Sequence, residues 1–441
     1  RSPRSKIAEP SGRRLPAGPL RAAPMKLLAV ALVLVAGLAR PGVAGEAAAG
    51  EVAADLEGLA ARLDGVVTDY HRSGQFNGVA LVARAGEMLL RGAYGYADRS
   101  WCVPHTVASR FQIGSLTKPF MASLVLHLVE EGELDLARPV REYLPDYEPA
   151  RASPFTLHHL LSHTSGLGDV ASMEDFELMM TTPLPTAERL ARFCGAAPGE
   201  PPGATWSYSN CGYEVVGAVV ESVSGTSLRV RFERFLREMG LTETGFTDTG
   251  AVIPRLARGY TFEDGAWRHQ PSWVWDNAVA SGSLYSTADD LYLWHRRLFG
   301  GEILTAASLE RMIEPVESGY GYGWFVGWGA VEQIDELISA VREAAPEPRA
   351  RDLHVVAHGG DLPGFHTLLI QILNDPHVVV LLDNQDLTGV YDHRRIAHLG
   401  ADLVRVLFGV PARGPQPAYG PAVIPRLSGA EIACAAPPAP S

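Results

Sequence analysis

The spacing of apolar residues along the 441-residue chain predicts a definite order of helices and strands. Residues 52–70 carry apolar side chains at helical intervals, and two alternating runs typical of strands flank Gly86. A long helical pattern runs from Lys118 through Leu128, with Pro119 in the first turn, where a helix tolerates proline. Residues 130–270 then mix helical patterns with loops rich in proline and glycine.

Strand patterns return in the last third of the chain. Four apolar runs there are typical of strands: 322–328, 353–357, 367–373 and 378–382. A closing helix is predicted near residues 394–407. Residues 331–351 are amphipathic and charged, and we interpret them as a surface insertion that either shapes substrate access or forms a solvated loop. Residues 411–441 are rich in proline and alanine and are predicted to be a poorly ordered tail.

Lysine is nearly absent from this sequence, which has three lysines among 38 basic residues. Two of them lie in N-terminal segments, so Lys118 stands alone against a background of arginine, three residues after Ser115. A lysine can lose its proton when it is buried, whereas arginine stays charged. If Ser115 opens a helix, the two side chains share one face, and a neutral amine there can activate the hydroxyl as a nucleophile.

A second polar segment, Tyr208-Ser209-Asn210, directly precedes the apolar run 215–220. A loop before a helix presents side chains well. The phenol of Tyr208 can relay a proton between nucleophile and leaving group, and the amide of Asn210 can orient a substrate amide. Taken alone, the segment is more typical of an aromatic turn that covers a core.

A third segment, His358-Gly359-Gly360-Asp361, follows the apolar run 353–357. Glycines allow a substrate to lie close to a strand edge, and a backbone NH there can bind an oxyanion. Taken alone, this segment is typical of a turn that ends a strand. The three segments therefore gain meaning only in combination.

In this order and spacing, the three segments resemble the active-site set of the serine β-lactamase and penicillin-recognising superfamily, which is Ser-x-x-Lys, Tyr-x-Asn and a strand with Lys-x-Gly or His-x-Gly. The chain is most similar to the class C-like branch, which includes D,D-peptidases, D-aminopeptidases and esterases. Further stretches match at 76–82, 159–167, 280–291 and 320–324, so the resemblance covers about residues 55–408.

The resemblance implies the following roles: Ser115 as nucleophile, Lys118 as general base, Tyr208 as proton shuttle, Asn210, His358, Gly359 and Gly360 as substrate-binding residues, and the backbone NH groups of Ser115 and Asp361 as the oxyanion hole. The implied reaction is acyl transfer through an acyl-serine, with water as the usual acceptor. No cofactor and no metal are expected.

The resemblance also implies an α/β fold of the α+β type, β-lactamase/transpeptidase-like, in which helices flank an antiparallel sheet built from both chain ends. We expect the α/β domain to comprise residues 46–129 and 271–410, and a mainly helical domain, residues 130–270, to be inserted between them. The active site is expected in the cleft between the two.

The substrate is not named by the sequence. Many true β-lactamases carry lysine where this chain has His358, and a neutral imidazole attracts a substrate carboxylate less than an ammonium does. The glutamate motif that deacylates class A enzymes is also absent. These departures favour an esterase or a peptidase of the D,D-carboxypeptidase or D-aminopeptidase kind. A β-lactamase, or a penicillin-recognising sensor without turnover, is the alternative.

Other chemistries fit less well. No serine has the Gly-x-Ser-x-Gly setting of an α/β-hydrolase. His159 and His163 are four residues apart, but the glutamate of a His-Glu-x-x-His zinc site is missing, so we expect both to be structural. The formal net charge of −12 argues against nucleic acid as a partner, which leaves a small molecule or a peptide as substrate. The oligomeric state is left open.

The N-terminal segment is typical of a leader. Met25-Lys26 followed by the apolar residues 27–39 has the layout of a secretory signal, with cleavage expected near Ala44 in a leader of residues 1–45. The apolar run is short for a membrane span, so no stable anchor is predicted, with an uncleaved anchor helix as the alternative. We therefore expect a secreted or periplasmic protein. Four cysteines, 102, 194, 211 and 434, allow one or two disulfides in three pairings.

Overall fold

The structure, a computed structural model, describes residues 43–170, 173–248, 250–327, 355–373, 375, 377–387 and 394–417. Chain contacts divide the protein into residues 1–51 and residues 52–441. Residues 43–51 of the first unit are helical, and the second unit holds everything considered below. The predicted signal segment up to residue 42, the insertion 331–351 and the tail beyond residue 417 lie outside the described residues. The cleavage expected near Ala44 falls in the first turn of the helix Val43–Arg72 and stays a prediction. None of the helices in the described ranges is long and apolar enough to cross a membrane.

Eleven α-helices are described: α1 Val43–Arg72, α2 Thr117–Glu130, α3 Glu148–Ala152, α4 Leu157–Leu161, α5 Met173–Thr181, α6 Thr186–Phe193, α7 Asn210–Ser224, α8 Leu228–Glu238, α9 Ala288–Phe299, α10 Ala306–Ile313 and α11 Arg394–Leu407. The described strands are β1 Gly78–Arg84, β2 Glu87–Tyr94, β3 Tyr96–Asp98, β4 Val103–Pro104, β5 Phe111–Gln112, β6 Gly245–Phe246, β7 Tyr260–Glu263, β8 Ala266–His269, β9 Leu284–Ser286, β10 Phe325–Val326, β11 Val355–Leu362, β12 Phe365–Ile372, β13 His377–Asp383 and β14 Gln385–Asp386.

The main sheet joins the two ends of the chain. Its six strands follow the order β10-β11-β12-β13-β1-β2, and every neighbouring pair is antiparallel. The first strand, β1, pairs with β13, so that Gly78 lies opposite Asp383 and Arg84 opposite His377. The predicted antiparallel sheet with flanking helices is therefore confirmed. The proposed boundary between an α/β and a helical domain falls inside the unit 52–441 and stays a prediction.

Both faces of this sheet are buried. Successive side chains of a strand point to opposite faces, and on β1 the residues Val79 and Leu81 belong to one apolar core while Ala80 and Val82 belong to another. The first core contains α2 and α9, and the second contains α1 and α11. Burial on both faces explains why the strands are apolar at nearly every position.

Helix α2 lies at the centre of the first core. Its side chains from Thr117 to Leu126 are all buried, and the Phe120 ring stacks on Trp294 with centroids 3.8 Å apart. Apolar side chains all around a helix are typical of a helix buried on every side. A rigid support therefore carries the segment that enters α2, where the predicted nucleophile lies.

Two strands differ from their sequence-based bounds. The apolar run 322–328 forms only a two-residue strand, because Gly323 has a φ of 76° and a Cβ there would lie 2.7 Å from the Cα of Pro119. The chain turns there to pack against α2. The run 353–357 continues as β11 through Leu362, so His358-Gly359-Gly360-Asp361 lies within a strand. The strand bound read from the apolar run was therefore too short, and the strand with His-x-Gly that the resemblance implied is present, since β12 pairs with all four of these residues.

The first residues of the predicted tail pack against the second core. The backbone NH groups of Arg413 and Gly414 each donate to the carboxylate of Asp402 on α11, at 2.8 Å. The hydroxyl of Tyr70 on α1 donates to the same carboxylate at 2.9 Å. Residues 411–417 therefore lie against α1 and α11, which flank the sheet. For residues 411–417 the expectation of a poorly ordered segment was wrong.

Candidate active site

Ser115 lies in a 3-10 turn, Gly114–Leu116, that leads directly into α2. Gly114 has a φ of 51°, and a Cβ there would lie 3.2 Å from the backbone nitrogen of Asp361. Glycine thus permits both the left-handed backbone and the close approach of the turn to β11. The result is a partly exposed serine at the start of a buried helix, as the sequence predicted.

Lys118 makes three contacts with its amine, Nζ. The distances are 2.9 Å to Oγ of Ser115, 2.8 Å to Oδ1 of Asn210 and 2.9 Å to the carbonyl oxygen of Ser281. A neutral amine has two hydrogens and one lone pair. It can donate to the two oxygen acceptors, Asn210 and Ser281, and still accept the proton of the Ser115 hydroxyl. The predicted pair of serine and lysine is thus within hydrogen-bonding reach.

Burial lowers the pKa of the Lys118 amine to about 7, although the nearby carboxylates of Asp169 and Glu214 act in the opposite direction. The side chain is fully buried, so the charged form loses its hydration. A substantial fraction of Lys118 is therefore neutral at pH 7, which is the state that a general base requires. The rings of Tyr208 and Tyr213 lie 4.8 and 5.6 Å from Nζ.

Tyr208 lies just before α7 and faces Ser115. Burial raises the pKa of its phenol above the ordinary value of 10, while a hydrogen bond with Ser115 lowers it. The phenol is thus protonated at pH 7 and can donate a proton. His163 fixes this loop, because its ring lies 4.4 Å from that of Tyr208 and its Nδ1 accepts a hydrogen bond from the backbone NH of Ser209 at 3.2 Å.

Asn210 is the first residue of α7 and is held at both ends of its amide. Its Oδ1 accepts from Lys118, and its Nδ2 donates to Asp169 at 2.8 Å. Asp169 also accepts from the backbone NH groups of Asn210 and Cys211 at 3.2 and 3.3 Å. A carboxylate at the N-terminus of a helix is favourable because it satisfies free NH groups and opposes the helix dipole. Asp169 was not predicted, and it fixes the amide of Asn210 against Lys118.

On β11, His358 is buried against aromatic side chains. Its Nε2 lies 3.0 Å from the hydroxyl of Tyr320, and its ring lies 5.3 Å from that of Phe325. Burial lowers the pKa of His358 to about 3, and the neighbouring charge of Lys118 lowers it further. The imidazole is therefore neutral at pH 7, as the sequence predicted.

The two glycines of β11 differ in position. Gly359 lines the cavity described below. Gly360 faces the nucleophile turn instead, because a Cβ there would lie 2.0 Å from the carbonyl oxygen of Ile113. The cavity lining does not include Gly360, and its contact with substrate stays a prediction. In the structure Gly360 lets β11 lie against the turn that carries Ser115.

A cavity of about 420 Å³ opens at Ser115. Tyr208, Asn210, His358, Gly359 and Asp361 line it together with Ser115, and most of the other lining residues form an apolar wall. That wall comprises the following residues: Val170, Phe176, Met179, Met180, Trp273, Trp275, Ala278 and Leu362. Apart from Gly360 and Lys118, the predicted site residues therefore meet at one cavity, and Lys118 contacts Ser115 at 2.9 Å.

Glu214 is a functional candidate that sequence reasoning missed. It is 4% exposed, lines the cavity and forms an ion pair with Arg189 at 3.2 Å. Its Oε1 accepts a hydrogen bond from the backbone NH of Ser281 at 3.0 Å. One signal was present, since Glu214 is a charged residue in an otherwise apolar helical pattern four residues after Asn210. Such a position is most often buried and paired.

The two histidines that were considered as metal ligands, His159 and His163, make different structural contacts. His159 accepts from the backbone NH of Thr156 at 3.1 Å and caps α4, whereas His163 lies beyond that helix. Within the described ranges, no group of three His, Cys, Asp or Glu side chains is placed to hold a metal ion. Cys194 and Cys211 form a disulfide whose residues line the cavity.

The comparisons with known proteins agree with this arrangement. The family model named Beta-lactamase matches residues 63–401. The esterase EstB of Burkholderia gladioli is 37% identical over 282 residues, which is 54% of this chain and 69% of the esterase. Penicillin-binding protein 4* of Bacillus subtilis is 27% identical over 368 residues, which is 78% of this chain and 74% of that protein.

A solved structure shows the same fold. The penicillin-binding protein from Bacillus halodurans superposes with a TM-score of 0.62 at 25% identity, covering 76% of this chain and 98% of that chain. The family match covers well over half of the present chain. The protein therefore belongs to the β-lactamase family and is a serine hydrolase of the superfamily that includes serine β-lactamases and penicillin-binding proteins.

Proposed function

We propose that this protein hydrolyses uncharged carboxylic esters with an apolar acyl group, through an acyl intermediate on Ser115. The observation that carries the proposal is the chemistry of the cavity at Ser115. One wall of the cavity is apolar. Among the described residues that line the cavity, none is lysine or arginine. The buried imidazole of His358 is neutral. Such a cavity fits an apolar acyl group and gives little attraction to a carboxylate.

Acylation follows from the contacts of Ser115. The neutral amine of Lys118, 2.9 Å away, takes the hydroxyl proton as Oγ attacks the ester carbonyl carbon. The bond between that carbon and the alcohol oxygen then breaks. The proton passes from Lys118 through Tyr208 to the alkoxide, which leaves as an alcohol. Tyr208 can serve as relay because its phenol is protonated at pH 7.

Deacylation reverses the direction of proton transfer. A water molecule gives its proton through Tyr208 to Lys118 and attacks the acyl carbon. The Ser115 oxygen leaves with that proton, and a carboxylic acid is released. The oxyanion in both steps is assigned to the backbone NH groups of Ser115 and Asp361, since the turn Gly114–Leu116 lies close to β11.

The electrostatics of the cavity disfavour the alternative substrates. β-Lactam antibiotics and peptides that end in a free carboxylate carry a negative charge close to the scissile bond. Three carboxylates, Asp169, Glu214 and Asp361, are among the lining residues. The cations that pair with two of them, Arg189 and His366, do not line the cavity and offer no partner to a bound carboxylate. Bringing a further carboxylate close to them without a cationic partner is unfavourable. An uncharged ester does not meet this repulsion. The 37% identity to an esterase supports the same choice.

We further propose that the protein acts outside the cytoplasm. The disulfide between Cys194 and Cys211 is typical of an oxidising compartment. The secretory leader expected from residues 25–44 has the same implication. Fractionation of cells that express the chain tests this proposal, which fails if active protein is found only in the cytoplasm.

The proposed function is tested by rates measured side by side. The substrates are p-nitrophenyl butyrate, nitrocefin, a D-Ala-D-Ala peptide and a D-amino acid amide, with the Ser115→Ala variant as control. We expect kcat/KM for the neutral ester to exceed that for nitrocefin and for the peptide by at least about 100-fold, since a misplaced carboxylate costs several kcal/mol. We also expect it to exceed that for the amide, because the ammonium of the amide has to enter a cavity with an apolar wall. A preference for nitrocefin, the peptide or the amide overturns the proposal. Stable labelling of Ser115 by a fluorophosphonate, with no turnover of esters, overturns it in favour of a sensor.

A further inference from the structure

Asp361 and His366 lie opposite each other on the paired strands β11 and β12. His366 Nδ1 donates to Oδ1 of Asp361 at 2.7 Å, and Nε2 lies 3.7 Å from Oδ1 of Asp386 on β14. The imidazole is 1% exposed, while the Asp361 side chain is 23% exposed. One buried imidazole is thus flanked by two carboxylates.

The charges around His366 favour its protonated form. Burial alone lowers the pKa of the imidazole, but the hydrogen bonds and charges of Asp361 and Asp386 outweigh it and raise the pKa to about 9. The remaining charged neighbours are Arg395 of α11, which lowers this pKa, and Asp383 of β13, which lies opposite His366 and forms an ion pair with Arg395. His366 is therefore a cation at pH 7.

The position of Asp361 gives this pair a consequence for catalysis. Asp361 lines the cavity, and its backbone NH is the proposed oxyanion donor opposite Ser115. A carboxylate on that residue opposes negative charge that develops on the substrate oxygen. A cation on the far side of the carboxylate compensates for it and holds it in a fixed orientation.

We propose that His366 is a positioning residue for the oxyanion hole: its imidazolium holds the Asp361 carboxylate and compensates for its charge, so that the Asp361 backbone can stabilise the tetrahedral intermediate. This inference rests on the proposed acyl-serine chemistry. His366 does not itself touch the substrate, so its loss acts on kcat through Asp361. The binding of a neutral ester depends mainly on the apolar wall.

The test compares His366→Asn with the double variant His366→Asn/Asp361→Asn on p-nitrophenyl butyrate. In the single variant kcat is expected to fall by about tenfold, which is the effect of an interaction strong enough to shift a pKa by about one unit. KM is expected to stay within about twofold of the wild-type value. Removing the carboxylate as well restores most of kcat. A merely structural role for His366 does not predict this rescue. The inference is overturned if the double variant is as slow as the single one, or if His366→Asn has a normal kcat.

A matched control is available on β13. His377 is 2% exposed, its Nδ1 lies 3.2 Å from Oδ1 of Asp375, and neither residue lines the cavity. Burial lowers the pKa of His377, so its imidazole is neutral at pH 7. His377→Asn thus removes a buried histidine from an acidic partner, and its kcat is expected to stay normal. A fall in kcat equal to that of His366→Asn contradicts the inference.

Two further measurements keep the inference testable if His366→Asn fails to fold. The wild-type kcat is expected to fall as pH rises through about 9, since His366 then loses its proton. In Asp361→Asn this alkaline fall is absent. NMR titration of the His366 ring in the wild-type protein, which needs no substrate, separates the two proposals. A ring pKa below 7 overturns the proposed positioning role of His366, whatever the ester rates are. A raised ring pKa in a protein without esterase activity contradicts only the proposed function.

Discussion

Glu214 and Ser281 are joined by a hydrogen bond of 3.0 Å from the Ser281 backbone NH to Oε1 of the glutamate. The carbonyl oxygen of the same Ser281 accepts from Lys118 at 2.9 Å. A buried carboxylate on α7 thus fixes a backbone segment that in turn orients the proposed base. Arg189 compensates for the charge of Glu214 from the other side, at 3.2 Å. The amine of Lys118 is therefore positioned by a chain of contacts that begins outside the cavity.

Replacing Glu214 with glutamine is expected to shift the activity profile to lower pH. The carboxylate raises the pKa of Lys118, so its removal lowers that pKa and leaves the amine neutral at lower pH. Stability falls by about 3–5 kcal/mol because the buried Arg189 loses its partner. The measurements are kcat/KM against pH and the melting temperature. Glu221→Gln on the same helix is the control, since Glu221 contacts the backbone NH of Leu228 and does not line the cavity. An unshifted profile in Glu214→Gln contradicts the assignment.

Lys118→Arg is expected to lower kcat/KM by about 10²- to 10⁴-fold, the usual contribution of a general base. Arginine keeps the positive charge but does not give up its proton. In the wild-type protein, kcat/KM rises with pH up to about 7, because the base is active only when Lys118 is deprotonated, and it stays level until the fall near pH 9 that is proposed for His366. The pH profile on p-nitrophenyl butyrate checks both points. If the arginine variant retains near-normal rates, lysine is not the base.

Elements with a strong periodic pattern could be predicted closely from the sequence. The closing helix was expected near residues 394–407 and is α11, Arg394–Leu407. Its apolar residues recur at helical spacing over four turns, which leaves little ambiguity, although the structure buries every residue from Arg395 to Leu407. The end of β11 was predicted less well, because its glycines interrupt the apolar pattern after residue 357. Glycine weakens a strand pattern, yet at Gly360 it is required because the carbonyl oxygen of Ile113 lies where a side chain would begin.

The site was predictable where a residue belongs to a short motif of the family or where one residue type is needed for the chemistry. Lys118 stood out because arginine cannot replace it as a base. Asp169 and Glu214 did not stand out, since their roles depend on long-range contacts with Asn210, Arg189 and Ser281. Aspartate and glutamate are common on any surface, and nothing in their local sequence shows that folding brings them beside a buried amine.

His358→Lys is expected to improve the binding of esters that carry a carboxylate. The neutral imidazole is replaced by an ammonium, which can form a charge-assisted hydrogen bond worth about 1.5–3 kcal/mol. KM for a p-nitrophenyl hemisuccinate therefore falls by about tenfold or more, while KM for the neutral butyrate does not improve. His127→Lys places the same charge on α2, outside the cavity lining, and is expected to change neither value. Equal effects of both variants on the hemisuccinate would assign the change to net charge alone.

Phe176→Ala is expected to shift the preferred acyl group towards longer chains. Phe176 is half-buried on α5 and belongs to the apolar wall of the cavity. Its ring packs edge-on against Trp273, with ring centroids 5.5 Å apart. Removing the ring enlarges the apolar end, and each additional methylene buried there is worth about 0.8 kcal/mol, or about fourfold in kcat/KM. Rates for p-nitrophenyl esters from acetate to decanoate measure the shift. Leu178→Ala removes an apolar side chain from the same helix that is 37% exposed and does not line the cavity, so its chain-length profile stays that of the wild type. An unchanged profile in Phe176→Ala would place the acyl group elsewhere. If the ring contacts the acyl chain, its removal makes room for a longer chain and must change the preferred chain length.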